Sequence, residues 1–464
     1  MREQALWYWP GLIPVLSGLG WLAAGGLQGW SLLLALVPGL VHVGAGVGLL
    51  LWPGDRRISQ CLALSCFIAV LLIIPAWLLF GIVWALVLLV LAVASYLVAG
   101  FAAVRHEPVT EGIPKVKISL RLVLMVALDE ALLGYFTLSA HVPAGERARK
   151  MYTECERMRI QYRARDPHEF HRHPVPPHDL RLRKRRIYRQ SYEHVDFDSG
   201  YQPWNDDPGA QTWQAQLRNR RAHAWMMRHP GPPRPWLIGI HGYRMGLPWM
   251  DFGLFPPRWL HHRLGLNLLL PVLPLHGPRR AGLRSGDSYM DGDFTNFIHA
   301  EAQAMHDIRS MILWLRAEHR AQTIGVLGYS LGGYNAALLS CLEEDLACII
   351  AGIPMVDISA TLWRHMPLQQ KRYLESKGLG QQSVSQALRV VSPLVMSPKT
   401  RRRYLFAGLS DRLIPPDQVQ RLAEHWQLEH PAWYQGTHLS FGNEPAVTTL
   451  ILRALREGGL TSGN

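Results

Sequence analysis

The strongest structural signal in the chain is the segment 323–342, which reads TIGVLGYSLGGYNAALLSCL. It begins with a short apolar run typical of a buried strand and ends with an apolar run long enough for a helix. Between them stands Gly328-Tyr329-Ser330-Leu331-Gly332. Small residues flank a serine in this way when its hydroxyl projects from a tight strand-to-helix turn. The segment therefore predicts a nucleophilic serine, Ser330, and its alternative interpretation is a glycine-rich turn with a capping serine.

The sequence around this segment alternates between short apolar strands and amphipathic helices. Apolar runs predict strands at 236–240, 266–272, 323–327, 347–353, 404–407 and 432–434. Alternation of strands and helices predicts a mostly parallel sheet with helices on both faces. We therefore expect an α/β catalytic domain over residues 235–464, which is long enough to bury one core.

His438 and Asp411 are the predicted partners of the serine. Each directly follows a predicted strand, and the chain order Ser330, Asp411, His438 is the order of strand–turn–helix serine hydrolases. In such a triad the histidine takes the serine proton, and the acid fixes the tautomer of the imidazole. Asp357 also follows a strand, so it is the alternative acid, a substrate-pocket residue or a helix N-cap.

An oxyanion hole requires two backbone N–H groups that point at the developing negative charge. Leu331, directly after the serine, is the first predicted donor. The second is expected from the loop after an early strand, where the sequence is His241-Gly242-Tyr243-Arg244-Met245-Gly246. Tyr243 is the predicted donor of this loop, and Arg244 is the next choice.

Together, these motifs resemble the α/β-hydrolase superfamily. The resemblance rests on the His-Gly pair at 241–242, Gly328–Gly333, Asp411 with its trailing prolines, and His438. It covers residues 235–451, about half of the chain, and does not extend to the substrate. It implies a serine hydrolase that acts through an acyl-enzyme, of the esterase, lipase or dienelactone-hydrolase-like sort. No cofactor is predicted, and no metal, because the histidines between 168 and 178 do not match a known ligand spacing.

The first hundred residues have a membrane-like composition. Between residues 4 and 104 the only fully charged residues are Asp55, Arg56 and Arg57. A spanning helix needs about 20 apolar residues. The region 1–105 therefore predicts four transmembrane helices in two hairpins, near 10–27, 30–52, 58–77 and 84–104. The alternative is a large buried helical core in a soluble protein.

The basic residues predict the orientation of these helices. Arg2, the Arg56–Arg57 pair and the basic residues after Val104 lie on one side if the helices form two hairpins. The positive-inside rule then predicts a cytoplasmic catalytic domain attached to a bacterial-type inner or cell membrane.

Residues 118–140 are also apolar but contain Asp129 and Glu130. Carboxylates are costly in hydrocarbon, so a helix on the membrane surface, or docked on the soluble domain, is favoured over a fifth span.

A basic connector is predicted over residues 106–234. From Arg147 to Arg189 there are 14 Lys and Arg residues against 5 Asp and Glu, a large part of the formal net charge of +13. Anionic lipid headgroups are the predicted partner, because each basic residue near such a surface contributes about 1 kcal/mol. Nucleic-acid binding and a solvated charged face are the alternatives, and no nucleic-acid partner is expected.

The sequence as a whole predicts a membrane-anchored serine hydrolase that cleaves carboxylic esters. Only 18% of the residues are charged and 48% are hydrophobic, which excludes a disordered or collagen-like chain. The expected substrate is a small-molecule or lipid ester. The alternatives are a non-catalytic membrane scaffold or ligand sensor with the same fold, and an acyltransferase that uses the same triad.

Overall fold

The computed structural model describes most of the chain. The described residues are 8–26, 29–108, 110–138, 145–290, 293–429 and 431–461. They form two units. The first comprises Met1–Ala140 together with Gly408–Asp417 and Trp433–Glu444, and the second comprises His141–Ala407, Gln418–Ala432 and Pro445–Asn464.

The first unit is helical. Its α-helices within the described residues are α1 (Leu12–Gly25), α2 (Gly29–Leu51), α3 (Arg56–Leu71), α4 (Ile73–Phe80), α5 (Ile82–Arg105) and α6 (Leu120–Leu138). In the described part of the chain, α2 and α5 are long and apolar enough to cross a membrane. Together α3 and α4 also pass this test, but they are bent by 57° at the break between them.

The structure therefore gives two candidate spans, or three if the bent pair is one span, where the sequence predicts four. The predicted first span is α1, which has 14 residues. At 1.5 Å per residue it is about 21 Å long, shorter than a hydrocarbon core of about 30 Å. The predicted third span is the broken pair, and the break lies at Leu72, three residues before Pro75, which has no N–H to donate to Leu71.

Small residues allow the helices of the first unit to approach closely. A Cβ atom on Gly18 of α1 would lie 2.4 Å from the carbonyl oxygen of Gly39 in α2. A Cβ atom on Gly100 of α5 would lie 2.2 Å from the carbonyl oxygen of Val123 in α6. Helix association in membranes relies on such small-residue contacts. Thus α6, which also carries Asp129 and Glu130, packs within the helical unit.

The second unit is an α/β structure. The strands of the sheet, numbered along the chain, are β1 (Arg181–Ile187), β2 (Gln190–Asp198), β3 (Arg221–Met227), β4 (Trp236–Ile240), β5 (Asn267–Val272), β6 (Ile324–Tyr329), β7 (Cys348–Gly352), β8 (Arg403–Gly408) and β9 (Ala432–Tyr434). Gly408 of β8 and Trp433 and Tyr434 of β9 are counted with the first unit. The remaining α-helices of the described residues are α7 (Gly145–Tyr162), α8 (Pro167–Phe170), α9 (Ala210–Gln214), α10 (Pro248–Leu254), α11 (Phe294–His319), α12 (Leu331–Leu342), α13 (Ile358–His365), α14 (Leu368–Ser376), α15 (Gln381–Ala387), α16 (Pro416–His425) and α17 (Pro445–Glu457).

The strands form one mixed sheet in the order β1-β2-β3-β5-β4-β6-β7-β8-β9. From β5 to β8 the neighbouring strands pair in parallel, and β1, β2, β3 and β5 pair antiparallel. The parallel part agrees with the predicted strands. The antiparallel part lies within residues 106–234, where the sequence predicts a connector. Its edge strand, β1, does not show the expected apolar alternation, because it is exposed and its sequence is RLRKRRI.

Helical elements cover both faces of the parallel strands. A Cβ atom on Gly328 of β6 would meet the backbone of Gly332 in α12, and a Cβ atom on Gly325 would meet Leu460, which follows α17. Residues 325 and 328 point to opposite faces, because side chains alternate along a strand. The sheet is therefore buried on both sides, as the nearly continuous apolar strands predict.

Candidate active site

Ser330 lies in the turn between β6 and α12 with an unusual backbone conformation. Its φ is 58° and its ψ is −115°, a region that non-glycine residues rarely occupy. Backbone hydrogen bonds hold this conformation. The Ser330 N–H donates to the carbonyl of Gly352 (2.9 Å), and the Ser330 carbonyl accepts from Tyr334 (3.0 Å) and Met355 (3.2 Å). Such strain clusters at functional sites because the surrounding structure must enforce it.

The glycines beside Ser330 are required by close backbone contacts. A Cβ atom on Gly332 would lie 1.9 Å from the carbonyl oxygen of Ile240, and one on Gly328 would lie 2.0 Å from that of Gly332. Neither position has room for a larger residue. This is the geometry that the Gly-x-Ser-x-Gly pattern predicts, with a half-buried serine at the carboxyl end of a central strand.

The loop after β4 approaches Ser330. A Cβ atom on Gly242 would lie 3.6 Å from the Cβ of Ser330. His241 fixes this loop, because its Nε2 accepts the Leu273 N–H (3.1 Å) and its Nδ1 is 2.8 Å from the Gly242 carbonyl. Tyr243 follows directly, and Arg244 forms an ion pair with Asp287. The loop that carries Tyr243 therefore lies beside the serine, and Leu331 begins α12.

Asp411 and His438 form a buried pair in the first unit. Asp411 follows β8, and His438 follows β9. The Nδ1 of His438 is 2.7 Å from the Oδ2 of Asp411. The Oδ1 of Asp411 accepts the N–H groups of Leu413 (2.9 Å) and Ile414 (2.8 Å), so both carboxylate oxygens are bound. Because an ionised carboxylate can only accept a hydrogen bond, Nδ1 carries the proton in this contact, and Nε2 is the basic nitrogen of the neutral imidazole.

The pair also sets the protonation of the imidazole. Burial of His438 by itself lowers its pKa, but the charge of Asp411 and the hydrogen bond to it raise the pKa above its ordinary value. The charge of Asp129 acts in the same direction. His438 is thus a stronger base than a free histidine.

Asp357, the alternative acid, has a different role in the structure. Its Oδ1 accepts the Ala360 N–H (2.9 Å) and the Ser359 hydroxyl (2.7 Å), which caps α13. Its Oδ2 is 2.9 Å from Arg421. Burial raises its pKa, but these hydrogen bonds outweigh the burial and lower it. The helix N-cap was one of the interpretations left open by the sequence, and the following residues form three helices, α13 to α15.

Sequence reasoning missed two carboxylates that contact the Asp411 and His438 loops. Asp129 Oδ2 accepts the backbone N–H of His438 (3.0 Å) and of Arg412 (3.2 Å). Glu130 Oε1 accepts the Nε of Arg412 (2.6 Å). Both carboxylates are fully buried. The available signal was an Asp-Glu pair within an apolar helix, since buried charges require specific partners.

Comparison with known proteins places the chain in a family. No protein-family model matches it. It is 39% identical over 297 residues to "Uncharacterized protein Rv2627c" from Mycobacterium tuberculosis (strain ATCC 25618 / H37Rv), and equally to "Uncharacterized protein MT2702" from strain CDC 1551 / Oshkosh. The match covers 63% of this chain and 71% of each relative. The chain belongs to their family.

Solved structures similar to this family member include two acetyl xylan esterases. Acetyl Xylan Esterase 1 from Thermoanaerobacterium sp. JW/SL YS485 is 13% identical with a TM-score of 0.44, and the match covers 68% of this chain and 96% of the esterase chain. The acetyl xylan esterase from Paenibacillus sp. R4 is 15% identical with the same TM-score, and the match covers 68% of this chain and 95% of the esterase chain. At this level of similarity no activity is transferred to this chain.

The arrangement in this family member supports one kind of chemistry. A strained serine turn, a loop of backbone N–H groups beside it, and a histidine with an acid on its Nδ1 are the parts of nucleophilic acyl transfer. The structure brings together Asp411 with His438 in one unit, and Ser330 with the loop of Tyr243 in the other.

Proposed function

We propose that the protein is a membrane-anchored serine hydrolase of the α/β-hydrolase superfamily that cleaves carboxylic esters. The observation that carries the proposal is the backbone of Ser330, held at positive φ between a parallel strand and a helix by flanking glycines. A turn of this shape exposes a serine hydroxyl at the carboxyl end of the sheet. The Asp411–His438 pair supplies the base that such a serine needs.

In the proposed reaction, the Ser330 hydroxyl oxygen attacks the ester carbonyl while His438 Nε2 takes its proton. The imidazolium returns this proton to the departing alcohol, which leaves an acyl-enzyme. Water then attacks the acyl carbon while His438 takes its proton. Collapse of this second intermediate breaks the Ser330–acyl bond, releases the carboxylic acid and returns the proton to the Ser330 oxygen. Asp411 stabilises the imidazolium, and the N–H groups of Leu331 and Tyr243 stabilise the oxyanion of each tetrahedral intermediate.

We propose a lipid-derived ester as the substrate because the acid–base pair belongs to the same unit as the apolar helices. The outer faces of α2 and α5 expose large apolar side chains at helical spacing, including Leu33, Val37 and Leu40 on α2 and Val83, Leu86 and Val90 on α5. Exposed apolar faces of this length fit a hydrocarbon environment. A preference for short water-soluble esters over long-chain esters would contradict the lipid part of the proposal.

The proposed nucleophile can be tested by labelling with a fluorophosphonate. The full chain is solubilised in detergent and compared with Ser330→Ala and with Asp357→Ala as the control. We expect labelling to be lost in Ser330→Ala and kept in Asp357→Ala. Absence of labelling in folded wild-type protein would contradict the enzyme proposal and favour a non-catalytic scaffold or ligand sensor.

Product analysis separates hydrolysis from acyl transfer, which would use the same residues. With a long-chain ester as the donor, hydrolysis releases the free carboxylic acid in buffer. An acyltransferase would instead form a new ester or amide only when an alcohol or amine acceptor is added.

We also propose that β1 binds anionic lipid headgroups. Several basic residues of the 147–189 segment are neutralised in the structure, since Arg159 pairs with Glu156, Arg165 with Asp207 and Arg183 with Asp196. The side chains of Lys184, Arg185 and Arg186 on the edge strand are exposed, and they concentrate the positive charge there. Each such residue near an anionic surface contributes about 1 kcal/mol.

A further inference from the structure

We propose that Asp129 of α6 is a positioning residue that holds the acid and the base of the triad in register, so that the helical unit is part of the catalytic machinery. The inference rests on the proposed function, and it assigns a role in catalysis to α6, the helix that the sequence predicts on the membrane surface or docked on the soluble domain.

One oxygen of Asp129 bridges the two catalytic loops. The Oδ2 atom accepts the backbone N–H of His438 at 3.0 Å and the backbone N–H of Arg412 at 3.2 Å. His438 is the proposed base, and Arg412 is the residue after the proposed acid, Asp411. The two loops are joined a second time by the 2.7 Å contact of Asp411 with the His438 ring. The Asp411–His438 distance is therefore constrained through the backbone as well as through the side chains.

The Arg412 side chain reinforces this connection. Its Nε donates to Glu130 Oε1 at 2.6 Å, and its Nη1 contacts Glu107, which also pairs with Arg56 at 3.3 Å. The Ser59 hydroxyl donates to the other oxygen of Glu130 at 2.9 Å. The loop after β8 is thus attached to α6, to the residues after α5 and to α3. A buried arginine with two carboxylates is costly to separate, so the attachment is rigid.

Two observations describe Asp129 at its place beside the catalytic pair. Its side chain is fully buried, and among the described residues its Oδ1 has no hydrogen-bond partner. Burial, followed by the nearby charge of Asp411, raises the pKa of Asp129 to about 7. Buried carboxylates that serve only the fold normally have both oxygens bound. A half-satisfied carboxylate beside a catalytic pair is the kind of perturbed group that functional sites retain.

The charge of Asp129 acts on the base itself. The charged and titratable groups that interact with it are Asp411, Arg412, Tyr434 and His438 from the two loops and Tyr96 from α5, with Glu130 next to it on α6. Of these, His438 is stabilised in its protonated form by the negative charge of Asp129. Removal of that charge therefore lowers the pKa of His438. The histidine then stays neutral, and able to act as a base, down to a lower pH.

The test compares full-length wild-type protein in detergent with Asp129→Asn, Asp129→Ala and Glu111→Gln, which changes an exposed carboxylate of the same unit. The readout is the second-order rate constant of fluorophosphonate labelling as a function of pH. A shift of the loops by about 1 Å costs about 100-fold in rate, so we expect a loss of this size in Asp129→Ala. Asp129→Asn keeps an acceptor oxygen but no charge, so we expect a smaller loss and an acid limb moved down by about one pH unit.

The control should behave as wild type. The inference would be overturned by an Asp129→Asn protein that has the wild-type labelling rate and pH midpoint, provided that its thermal unfolding curve shows it to be folded. This holds even if Asp129→Ala does not fold. A wild-type protein without any labelling would remove the proposed function itself, and this inference with it. A loss of rate in Asp129→Asn without movement of the pH midpoint would also overturn the positioning role, because a merely structural carboxylate predicts that result.

Discussion

Replacement of Asp411 by Asn tests the acid of the proposed triad most sharply. The change removes the negative charge from a side chain whose Oδ2 lies 2.7 Å from His438 Nδ1, and it leaves the shape unchanged. At an effective dielectric constant of about 20, two unit charges at this separation interact by about 6 kcal/mol. A neutral hydrogen bond from the imidazolium Nδ1–H to the carboxamide oxygen of Asn returns about 1 kcal/mol, so the imidazolium loses about 5 kcal/mol of stabilisation.

This loss falls on the transition state, because His438 is charged there and must be neutral before it can take the serine proton. Each 1.36 kcal/mol corresponds to a factor of ten in rate, so we expect kcat to fall by about 10³- to 10⁴-fold. The assay is steady-state hydrolysis of a chromogenic ester by the full chain in detergent, with Ser330 labelling as a second readout. We expect little change in KM, because the pair contacts the base and not the ester.

Asp357→Asn is the matched control, since Asp357 is a partly buried carboxylate that, like Asp411, accepts backbone N–H groups. It should retain kcat within a few-fold and lose only helix-cap stability of about 1 kcal/mol. An Asp411→Asn enzyme within tenfold of wild type, beside an Asp357→Asn enzyme that has lost activity, would refute the assignment of the acid.

The other predictions concern the helical unit and its surroundings. Burial raises the pKa of Asp129 from 3.8 to about 7, so the wild type should lose stability relative to Asp129→Asn as the pH rises from about 4 through 7. Thermal unfolding in detergent measures this difference. A gain of wild-type stability over the same range would contradict the burial of that carboxylate. Glu130→Leu removes one buried partner of the Arg412 guanidinium, so it should lower the free energy of unfolding by about 3 kcal/mol. The double variant Glu130→Leu with Arg412→Met should recover most of this loss. Unfolding midpoints measure both effects. Anionic nanodiscs should increase the activity over neutral ones, and alanine at Lys184, Arg185 and Arg186 should abolish this increase. The control Arg159→Ala should keep it, because Arg159 is already paired with Glu156. An equal loss in both variants would point to a general charge effect. A reporter that is active only outside the cytoplasm should stay silent when fused to the C-terminus, and a strong signal would invert the predicted orientation.

The strands next to the serine were predictable because their signals are local. Strands β4 to β9 differ from the predicted ranges by at most two residues at either end, since each is a short apolar run. Strands β1 to β3 were not predicted. Their pairing is antiparallel at the edge of the sheet, where an exposed strand of basic residues such as β1 has no apolar face.

The number of membrane helices shows the limit of composition as a guide. Uncharged stretches predict that helices are apolar, and α2 and α5 meet that expectation. Composition does not give the length of α1 or the break between α3 and α4 at Leu72, because helix ends depend on backbone hydrogen bonds and not on hydropathy.

The sequence by itself determined the serine turn. Strand, glycines and helix are consecutive in the chain, and the close contact of Gly328 with the Gly332 backbone is a steric consequence of that local arrangement. Chain order alone left two acids for His438, and only the tertiary structure placed Asp411 on its ring and Asp357 at a helix N-terminus. The tertiary structure also brought Asp129 to the backbone of His438, 309 residues away. A buried carboxylate must find partners wherever the fold provides donors, and a sequence pattern does not contain that information.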